Sequence, residues 1–535
     1  MFFSVLIPVM AGVLVLYAVK WWFLDSRVGA TPLPPGPPGL PLVGNLNDLP
    51  PPTKPEYQHW LEHKDRYGPL SSITVLGQTM VIIHDKEVAF ELMEKRANKY
   101  SGRPKLKFGF DMVGWGDGMS QLPYNHTLRL HRKYVYQQLG SKATVSKYYA
   151  LQETAVGRFL WRLKGDKGDH LVDHLNTEAA EVILDIVYGY TIEPHGKDPL
   201  VALIDQAMEE FSAAIVPGKW LVDILPFLEH IPEWMPGAGF KRIARAYRRT
   251  AMDVVNVPYA FAKAQMASGK QITSFVSKSI EQARQEKDFG SEEDHAIKWS
   301  AVSMYTGGAD TSVSTMVAFF LAMSLFPDVQ RKAQEEIDRV VGTSRLPTFN
   351  DRQDLPYINA VVEEAQRWHP VGPMGIPHAA DEEDTINGYR MSKGALLLPA
   401  IWWFTRDPAT YHDPESFKPE RFLEPYNEPS ATNVIFGFGR RICPGKALAD
   451  ATMYLTFVQS LAAFDVRKAL DDRGEAIVPE HKFDSGIIAH PGPFGVSVVP
   501  RSRQHEILIE KVVEEHPWKE SDAKYLRGMQ SISQA

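Results

Sequence analysis

The sequence contains a single cysteine, Cys443, in a glycine-rich segment directly before a helical pattern. Residues 436–445 read Phe-Gly-Phe-Gly-Arg-Arg-Ile-Cys-Pro-Gly, and the helical pattern begins near Lys446. Glycines let the backbone approach a flat ligand closely. Arg440, Arg441 and the backbone N–H groups of a helix N-terminus favour a thiolate and should lower the thiol pKa below about 8.5. A lone cysteine is otherwise a buried small hydrophobic residue, so a thiolate and a core side chain are the two interpretations.

Composition and charge narrow the class of protein. The chain has 535 residues, of which 44% are hydrophobic, and its net charge is -7. The negative balance argues against a nucleic-acid partner. With one cysteine no disulfide can form within the chain, which fits a reducing compartment. The length favours three or four domains, but no low-complexity linker or repeat follows Gly44, so we expect one large body.

The N-terminus departs from a globular composition. Residues 2–19 carry no charge, and Trp21 and Trp22 follow them. About 20 apolar residues span a bilayer, and tryptophan favours its interface. The alternative is a cleaved signal peptide, but no basic segment precedes the apolar stretch. Lys20 and Arg27 follow the span, so we expect a single-pass anchor with the body in the cytosol.

The chain divides into four predicted parts. A membrane anchor occupies residues 1–24, and a proline-rich hinge occupies residues 25–45. Proline favours stiff extended chain, so the hinge is predicted to be a spacer; a ligand for an aromatic groove is the alternative. The body covers residues 46–501. A charged tail at residues 502–535 has few apolar positions and is predicted to be peripheral or disordered.

Periodicity predicts a mostly α-helical body with small β-sheets, an α+β class. Apolar residues recur at helical spacing in four segments, at 296–325, 329–341, 357–368 and 446–464. Short β-type runs occur at residues 71–85, with a turn at Gly77-Gln78, and at 385–398 and 486–499. The familiar glycine-rich nucleotide-binding motifs are missing, so the chain carries no recognisable nicotinamide or flavin module.

A glycine pair interrupts the longest helical pattern. Residues 307–312 read Gly-Gly-Ala-Asp-Thr-Ser, and each glycine costs a helix about 1 kcal/mol relative to alanine. One interpretation is an active-site distortion that leaves room for dioxygen and water. The other is a simple helix break.

The cysteine segment resembles the haem-binding signature of the cytochrome P450 family, FxxGxRxCxG. Every fixed position matches: Phe436, Gly439, Arg441, Cys443 and Gly445. The resemblance extends over about residues 34–502. It implies the cytochrome P450 fold with one N-terminal transmembrane helix, and haem b with Cys443 as the axial iron ligand. A thiolate in that position promotes cleavage of the O–O bond.

Two further segments resemble elements of the same family. Residues 307–312 match [AG]Gx[DE]T[ST], and by that resemblance Asp310 and Thr311 deliver protons during oxygen activation. Glu364 and Arg367 form an ExxR pair, which alone would be an ordinary surface ion pair. With Arg421 of the Pro-Glu-Arg-Phe segment at 419–422, they match a buried triad that keeps the fold and the haem pocket intact.

Two haem propionates need cationic partners. The candidates are Arg132, His378 and Arg441. Arg132 lies in a segment similar to the family's WxxxR helix, but Leu128 stands where the family has tryptophan. The alternative for Arg132 is a solvated surface arginine.

The residues that match the family's substrate pocket are apolar, so we expect a lipophilic substrate. Each of them could equally be ordinary core. They are Phe108, Phe110, Met112, Trp115, Met304, Val371, Met374, Ile376, Ile487 and Ile488.

The resemblance implies a monooxygenase on the endoplasmic reticulum membrane. It would insert one oxygen atom from O2 into a lipophilic molecule, with electrons from NADPH–cytochrome P450 reductase. The pattern looks most like fungal members that oxidise terpenoid, polyketide or aromatic secondary metabolites. The alternatives are a haem-thiolate isomerase or dehydratase, which often lacks the Asp-Thr element, and a non-catalytic haem sensor or carrier.

Overall fold

The computed structural model describes residues 31–529 except 52, 217, 287, 288, 485 and 528, and in addition Gly12. The predicted anchor at residues 1–24 therefore lies outside the described residues, apart from Gly12. Among the described residues one helix, Ser291–Leu325, is long and apolar enough to cross a membrane, but most of it is buried inside the protein. Its burial identifies it as a core helix.

Helices dominate the described chain, as the sequence predicts. In chain order they are α1 Glu56–Tyr67, α2 Lys86–Phe90, α3 Ala97–Tyr100, α4 His126–Leu139, α5 Lys142–Val145, α6 Tyr149–Asp166, α7 Leu171–Tyr188, α8 Pro199–Ala214, α9 Leu221–Ile224, α10 Gly239–Ala267, α11 Phe275–Gln285, α12 Ser291–Leu325, α13 Pro327–Val340, α14 Pro356–Trp368, α15 Ile401–Phe404, α16 Thr432–Ile435, α17 Lys446–Ala463 and α18 Arg503–Glu515. Short 3-10 or π turns lie at Leu46–Asp48, Glu91–Lys95, Lys107–Met112, Ser146–Tyr148, Pro226–His230, Phe349–Asp354, Pro419–Phe422, Gly439–Arg441 and Ala523–Leu526.

The strands form small sheets. They are β1 Leu70–Val75, β2 Gln78–Ile83, β3 His378–Ala379, β4 Asp384–Ile386, β5 Tyr389–Met391, β6 Leu396–Pro399, β7 Phe464–Lys468 and β8 Val496–Pro500. One sheet has the order β1-β2-β6-β3, with β2 and β6 parallel and the other pairs antiparallel. β4 pairs with β5, and β7 with β8.

Two strand predictions need correction. The β1–β2 turn is formed by Leu76 and Gly77, both at positive φ, as tight hairpin turns require, and Gln78 already belongs to β2. The predicted extended run at 486–499 contains regular strand only from Val496. The residues before it form a loop that contacts α12.

Helix α12 is the centre of the fold. It begins at Ser291, where the Glu293 side chain accepts a hydrogen bond from the Gly290 N–H, and it ends before Pro327, which begins α13. It is continuous through the glycine pair, so the alternative interpretation of a simple helix break is wrong. Its first half packs with α4 and α7, and its second half with α17. The sheet contributes a third apolar cluster, which includes Phe438.

The segments at both ends of the described body are packed against it. The Pro35 carbonyl accepts a hydrogen bond from the Ser72 N–H of β1 at 2.8 Å. The described part of the proline-rich hinge therefore packs against β1. At the other end, α18 buries Leu508 and Ile509. The alternative of a disordered tail is therefore wrong for Arg503–Glu515, which forms a helix packed on the body through Leu508 and Ile509.

Candidate active site

The cysteine segment forms a closed loop before α17. The Cys443 N–H donates to the Phe436 carbonyl at 2.8 Å. Gly439 adopts a φ of +47°, and a Cβ there would lie 2.7 Å from the Met93 carbonyl oxygen, so no other residue fits without a shift. Gly445 directly precedes α17, and a Cβ there would lie 3.8 Å from the Cys443 sulfur. The loop thus holds the thiol at the start of a helix, as predicted.

The Cys443 side chain is exposed at the end of this loop. Burial by the surrounding protein nevertheless raises the pKa of its thiol. The backbone N–H groups of Gly445 and Lys446 and the charge of Arg132 act in the opposite direction. The predicted lowering of this pKa is therefore wrong, because burial outweighs these groups. A metal cation at the sulfur would deprotonate it.

Arg441 is buried next to this loop and has one unused donor nitrogen. Its Nε and Nη2 donate to the Ser101 carbonyl at 2.8 and 2.6 Å, and Nη2 also donates to the Leu122 carbonyl at 2.7 Å. Its Nη1 is buried with no hydrogen-bond partner in the described chain. Burial lowers the pKa of Arg441 to about 10. A buried donor without a partner indicates a missing acceptor.

Two more arginines share this environment. Arg132 makes no hydrogen bond or ion pair with any residue that the structure describes, and burial lowers its pKa. Arg103 donates to the carbonyls of Ser120, Ile376 and Pro377, and burial followed by repulsion from Arg441 lowers its pKa strongly.

No sequence pattern indicates Arg103, because it lies in an irregular segment and only its tertiary contacts reveal it. We call Arg103, Arg132 and Arg441 the unpaired arginine cluster. Within the described residues no ion pair joins any of them to a carboxylate.

His378 is a poorer cation than the sequence predicts. It is buried, and its Nδ1 lies 2.7 Å from the Tyr100 carbonyl oxygen, so Nδ1 carries the proton. Burial and then repulsion from Arg103 hold the pKa of His378 well below its usual range. The imidazole is therefore neutral here, with Nε2 as an acceptor rather than a donor to a carboxylate.

The two neighbouring glycines of α12 have different environments. Gly307 is exposed although it lies in a core helix, and a Cβ there would meet nothing within 4 Å. The Thr311 hydroxyl donates to the Gly307 carbonyl at 2.7 Å, one turn back. On another side, a Cβ at Gly308 would lie 2.9 Å from Ile183 of α7. One glycine thus opens space, and the other permits close helix packing.

The three residues predicted as a triad lie in contact. Arg367 donates to the Glu364 carboxylate at 2.7 and 2.9 Å, and Arg421 approaches the same carboxylate at 3.1 Å. All three side chains are almost fully buried. The remaining arginine donors bind backbone carbonyls and, from Arg421, the Glu428 carboxylate. The structure thus satisfies every charge in this group.

Some of the predicted pocket residues are buried in two apolar clusters, and the others are partly buried or exposed. Phe108, Trp115 and Met304 are buried in the cluster that contains the first half of α12, and Phe108 stacks on Trp220. Met374 is buried in the sheet cluster. Ile376 is 44% exposed, although Arg103 binds its carbonyl. The remaining members, which are Phe110, Met112, Val371, Ile487 and Ile488, are partly buried.

These residues suit a flat, largely apolar ligand that carries a metal and carboxylates. The thiol provides one metal ligand, and thiolate is a known axial ligand of haem iron. The unpaired arginine cluster provides donors for carboxylates, which bind guanidinium groups with good geometry. The orphaned Nη1 of Arg441 is the observation that most directly calls for such a group. The donor set therefore fits haem b.

Comparison with known proteins identifies the family of this chain. A family model described as Cytochrome P450 matches residues 34–498. The chain is 44% identical over 520 residues to cytochrome P450 monooxygenase claR of Ampulloclitocybe clavipes, an alignment covering 96% of this chain and 94% of the relative. It is 45% identical over 515 residues to cytochrome P450 monooxygenase ppsD of Aspergillus oryzae, covering 95% and 97%. It is 41% identical over 509 residues to O-methylsterigmatocystin oxidoreductase of Aspergillus flavus, covering 94% and 95%.

Proposed function

Since this chain belongs to the cytochrome P450 family, as a monooxygenase that uses haem b, O2 and electrons derived from NADPH, we propose that its substrate is a lipophilic small molecule of fungal secondary metabolism. The electrons come from a separate NADPH–cytochrome P450 reductase, because the sequence carries no recognisable flavin module. One oxygen atom from O2 enters the substrate. The observation that carries this proposal is the exposed Cys443 thiol at a helix N-terminus, together with the buried Arg441 nitrogen that has no partner among the described residues.

We assign the haem contacts as follows. Cys443 would ligate the iron, and the backbone N–H groups of Gly445 and Lys446 would stabilise its thiolate. Arg132 and Arg441, joined by Arg103, would hold the propionates, while His378 would contribute an acceptor. When bound, the haem supplies the iron redox chemistry that activates dioxygen. Phe436 and Gly439 shape the cysteine loop, and the triad of Glu364, Arg367 and Arg421 stabilises the fold around it.

Asp310 and Thr311 manage protons in this proposal. The Thr311 hydroxyl has one donor hydrogen, which binds the Gly307 carbonyl on the open side of α12. It can donate to the reacting oxygen when it rotates away from that carbonyl. Asp310, the preceding residue, replenishes that proton from the solvent side. Cleavage of the O–O bond that forms product consumes protons, and positioned proton transfer is worth about 10²–10⁴-fold in rate.

The relatives support the substrate class. One of them is named O-methylsterigmatocystin oxidoreductase. The pocket residues assigned from the sequence are apolar and aromatic, which suits a terpenoid, polyketide or aromatic compound. The anchor at residues 1–24 and the hinge at 25–45 would hold the body, residues 46–501, on the cytosolic face of the endoplasmic reticulum.

The test of the metal ligand is Cys443→Ala. We expect the ferrous CO adduct of the wild type to show a strongly red-shifted Soret band, and the variant to lose it, because no second thiol exists in the chain. A variant that keeps the band would show that another residue ligates the iron.

The test of the reaction is incubation with reductase, NADPH, O-methylsterigmatocystin and a panel of terpenoids and aromatic polyketides, with product masses as the readout. A gain of one oxygen atom that requires NADPH supports the monooxygenase. Turnover of a peroxide substrate without NADPH or O2 would identify an isomerase or dehydratase, and haem binding without any product would identify a sensor. We expect Thr311→Ala to bind haem and consume NADPH, yet divert much of the flux to hydrogen peroxide.

A further inference from the structure

A histidine outside the matched family motifs contacts Asp310. His490 lies in the loop before β8, and its Nε2 is 3.2 Å from Asp310 Oδ1. The His490 side chain is 39% exposed and that of Asp310 is 19% exposed. His490 is thus the more exposed member of the pair, and it adjoins the carboxylate that the proposed function places next to Thr311.

The loop that carries His490 is attached firmly to α12. The Ser314 hydroxyl donates to the Ala489 carbonyl at 2.6 Å, and the Ala489 N–H donates to the Val371 carbonyl at 2.8 Å. His369 adds a contact at 2.7 Å between its Nε2 and the Ser314 hydroxyl. The position of His490 is therefore determined by buried hydrogen bonds of the residue before it.

Helical geometry divides the roles of the two neighbouring residues of α12. Asp310 and Ser314 are four residues apart and share a face, and both contact the His490 loop. Gly307 and Thr311 are also four residues apart and share the adjacent face, which is open at Gly307. Successive helical side chains diverge by about 100°. Asp310 thus lies between the loop and the open side of the helix.

The charges around this pair favour a protonated His490. The hydrogen bond and charge of Asp310, with a contribution from Asp484, outweigh burial and raise the pKa of His490. His369, in the same region, is kept neutral by burial. Across the helix, burial and to a smaller extent Asp310 raise the pKa of Asp205 to about 6.

We propose that His490 is a positioning residue that holds the Asp310 carboxylate and passes solvent protons to it. This inference rests on the proposed function, because it assigns the source of the protons that Asp310 and Thr311 deliver. The Nε2 proton moves to Asp310 Oδ1, the proton of Asp310 moves on toward Thr311, and water reprotonates His490. No bond other than these N–H and O–H bonds forms or breaks.

The first test measures the fate of electrons in the haem-loaded enzyme with purified reductase, with O-methylsterigmatocystin and without any substrate. Reduction of O2 by one NADPH gives hydrogen peroxide, whereas two NADPH and further protons give water. Because positioned proton transfer is worth about 10²–10⁴-fold and water can partly replace a relay, we expect His490→Gln to raise the share of electrons recovered as peroxide by about threefold to tenfold.

The pH profile separates a relay from a structural effect. In the wild type the peroxide share should rise with pH as His490 loses its proton, whereas in His490→Gln it should be high at every pH. Exposed His412 provides a matched control, and His412→Gln should retain the wild-type profile. A wild-type profile in His490→Gln would overturn the inference.

A second readout needs no turnover. With [13C-ε1]histidine labelling of the ferrous CO-bound enzyme, the resonance absent from His490→Gln identifies His490. We expect it to titrate above about 6.5, the free value, and to titrate at lower pH in Asp310→Asn. An unchanged titration in Asp310→Asn would also overturn the inference. If the wild type consumed no NADPH with reductase, the proposed function would fail too, whereas product formation with an unaffected His490→Gln would refute this inference alone.

Discussion

Two groups of arginines lie close to the cysteine loop, and they differ in their partners. In the triad, Arg367 and Arg421 bind the buried carboxylate of Glu364, and their other donors meet backbone carbonyls or Glu428. In the unpaired arginine cluster, Arg441 keeps a buried nitrogen without a partner.

The two groups of arginines therefore have different roles. A buried ion pair with all hydrogen bonds made is complete without a ligand. Buried cations without anions cost free energy until an anion arrives. Residue type and burial alone would not distinguish the two groups. Their hydrogen-bond and ion-pair partners distinguish them.

The largest effect should follow from Glu364→Gln, which breaks the completed group. The variant leaves the buried Arg367 guanidinium without a countercharge, whereas Arg421 keeps Glu428, and breaking a buried pair typically costs about 3–5 kcal/mol. We expect a large fall in the free energy of unfolding or a loss of soluble holoenzyme, measured by thermal unfolding and haem content. Glu428→Gln is the matched control, since Glu428 is less buried and binds only Arg421 of the triad. An equal loss in both variants would refute the comparison.

The next effect should come from the unpaired arginine cluster, through Arg132→Leu. A hydrogen bond to a charged group is worth about 1.5–3 kcal/mol, or roughly 10–100-fold in affinity. We therefore expect haem to transfer that much faster to an excess of a haem-scavenging protein.

The haem-free form of the same variant should be as stable as the wild type or more stable, because a cation without a partner has been removed. Arg132→Lys retains the charge and should lose haem more slowly than the leucine variant. Destabilisation of the haem-free leucine variant would mean that Arg132 has a structural partner.

Local sequence patterns predict the completed group better than the unpaired one. A spacing of three residues places Glu364 and Arg367 on one helical face, although Arg421 joins them only through the family resemblance. Arg103 gives no local signal, since it lies in irregular chain and acts through carbonyls distant in sequence. His490 likewise gives no local sequence signal, because only the folded position of its loop brings it to Asp310.

Local energies also misjudge the glycine pair and the thiol. The glycines of α12 suggest a break, but close packing of Gly308 against Ile183 accompanies an unbroken helix. The helix N-terminus suggests an acidic thiol, but burial raises the pKa of Cys443. In both cases the tertiary environment outweighs the local preference, which for each glycine is about 1 kcal/mol.

A pH effect of intermediate size should arise beside Arg132. His131 is fully buried, both its ring nitrogens lack partners in the described chain, and burial lowers its pKa to about 4. The unfolded chain binds a proton near pH 6.5 and the folded chain does not, so stability falls as the pH drops below about 6.5.

We expect this residue to account for a loss of about 2 kcal/mol by pH 5, measured as the difference in unfolding free energy between pH 7 and pH 5. His131→Leu should show a smaller acid loss than the wild type. An identical acid loss in the two proteins would mean that His131 is protonated, or paired, in the folded state.

The smallest effect should come from Arg440. It precedes Arg441 in the sequence but differs from it in burial and in contacts. Arg440 is exposed, and its guanidinium lies 4.7 Å from the centre of the Tyr124 ring. Such surface contacts are worth about 0.5–1 kcal/mol at most. Arg440→Ala should therefore change the free energy of unfolding by less than about 1 kcal/mol and leave the rate of haem loss, measured without reductase, unchanged. If Arg440→Ala released haem as fast as Arg132→Leu, total positive charge near the loop would matter more than unpaired buried donors, and the distinction between the two arginine groups would fail.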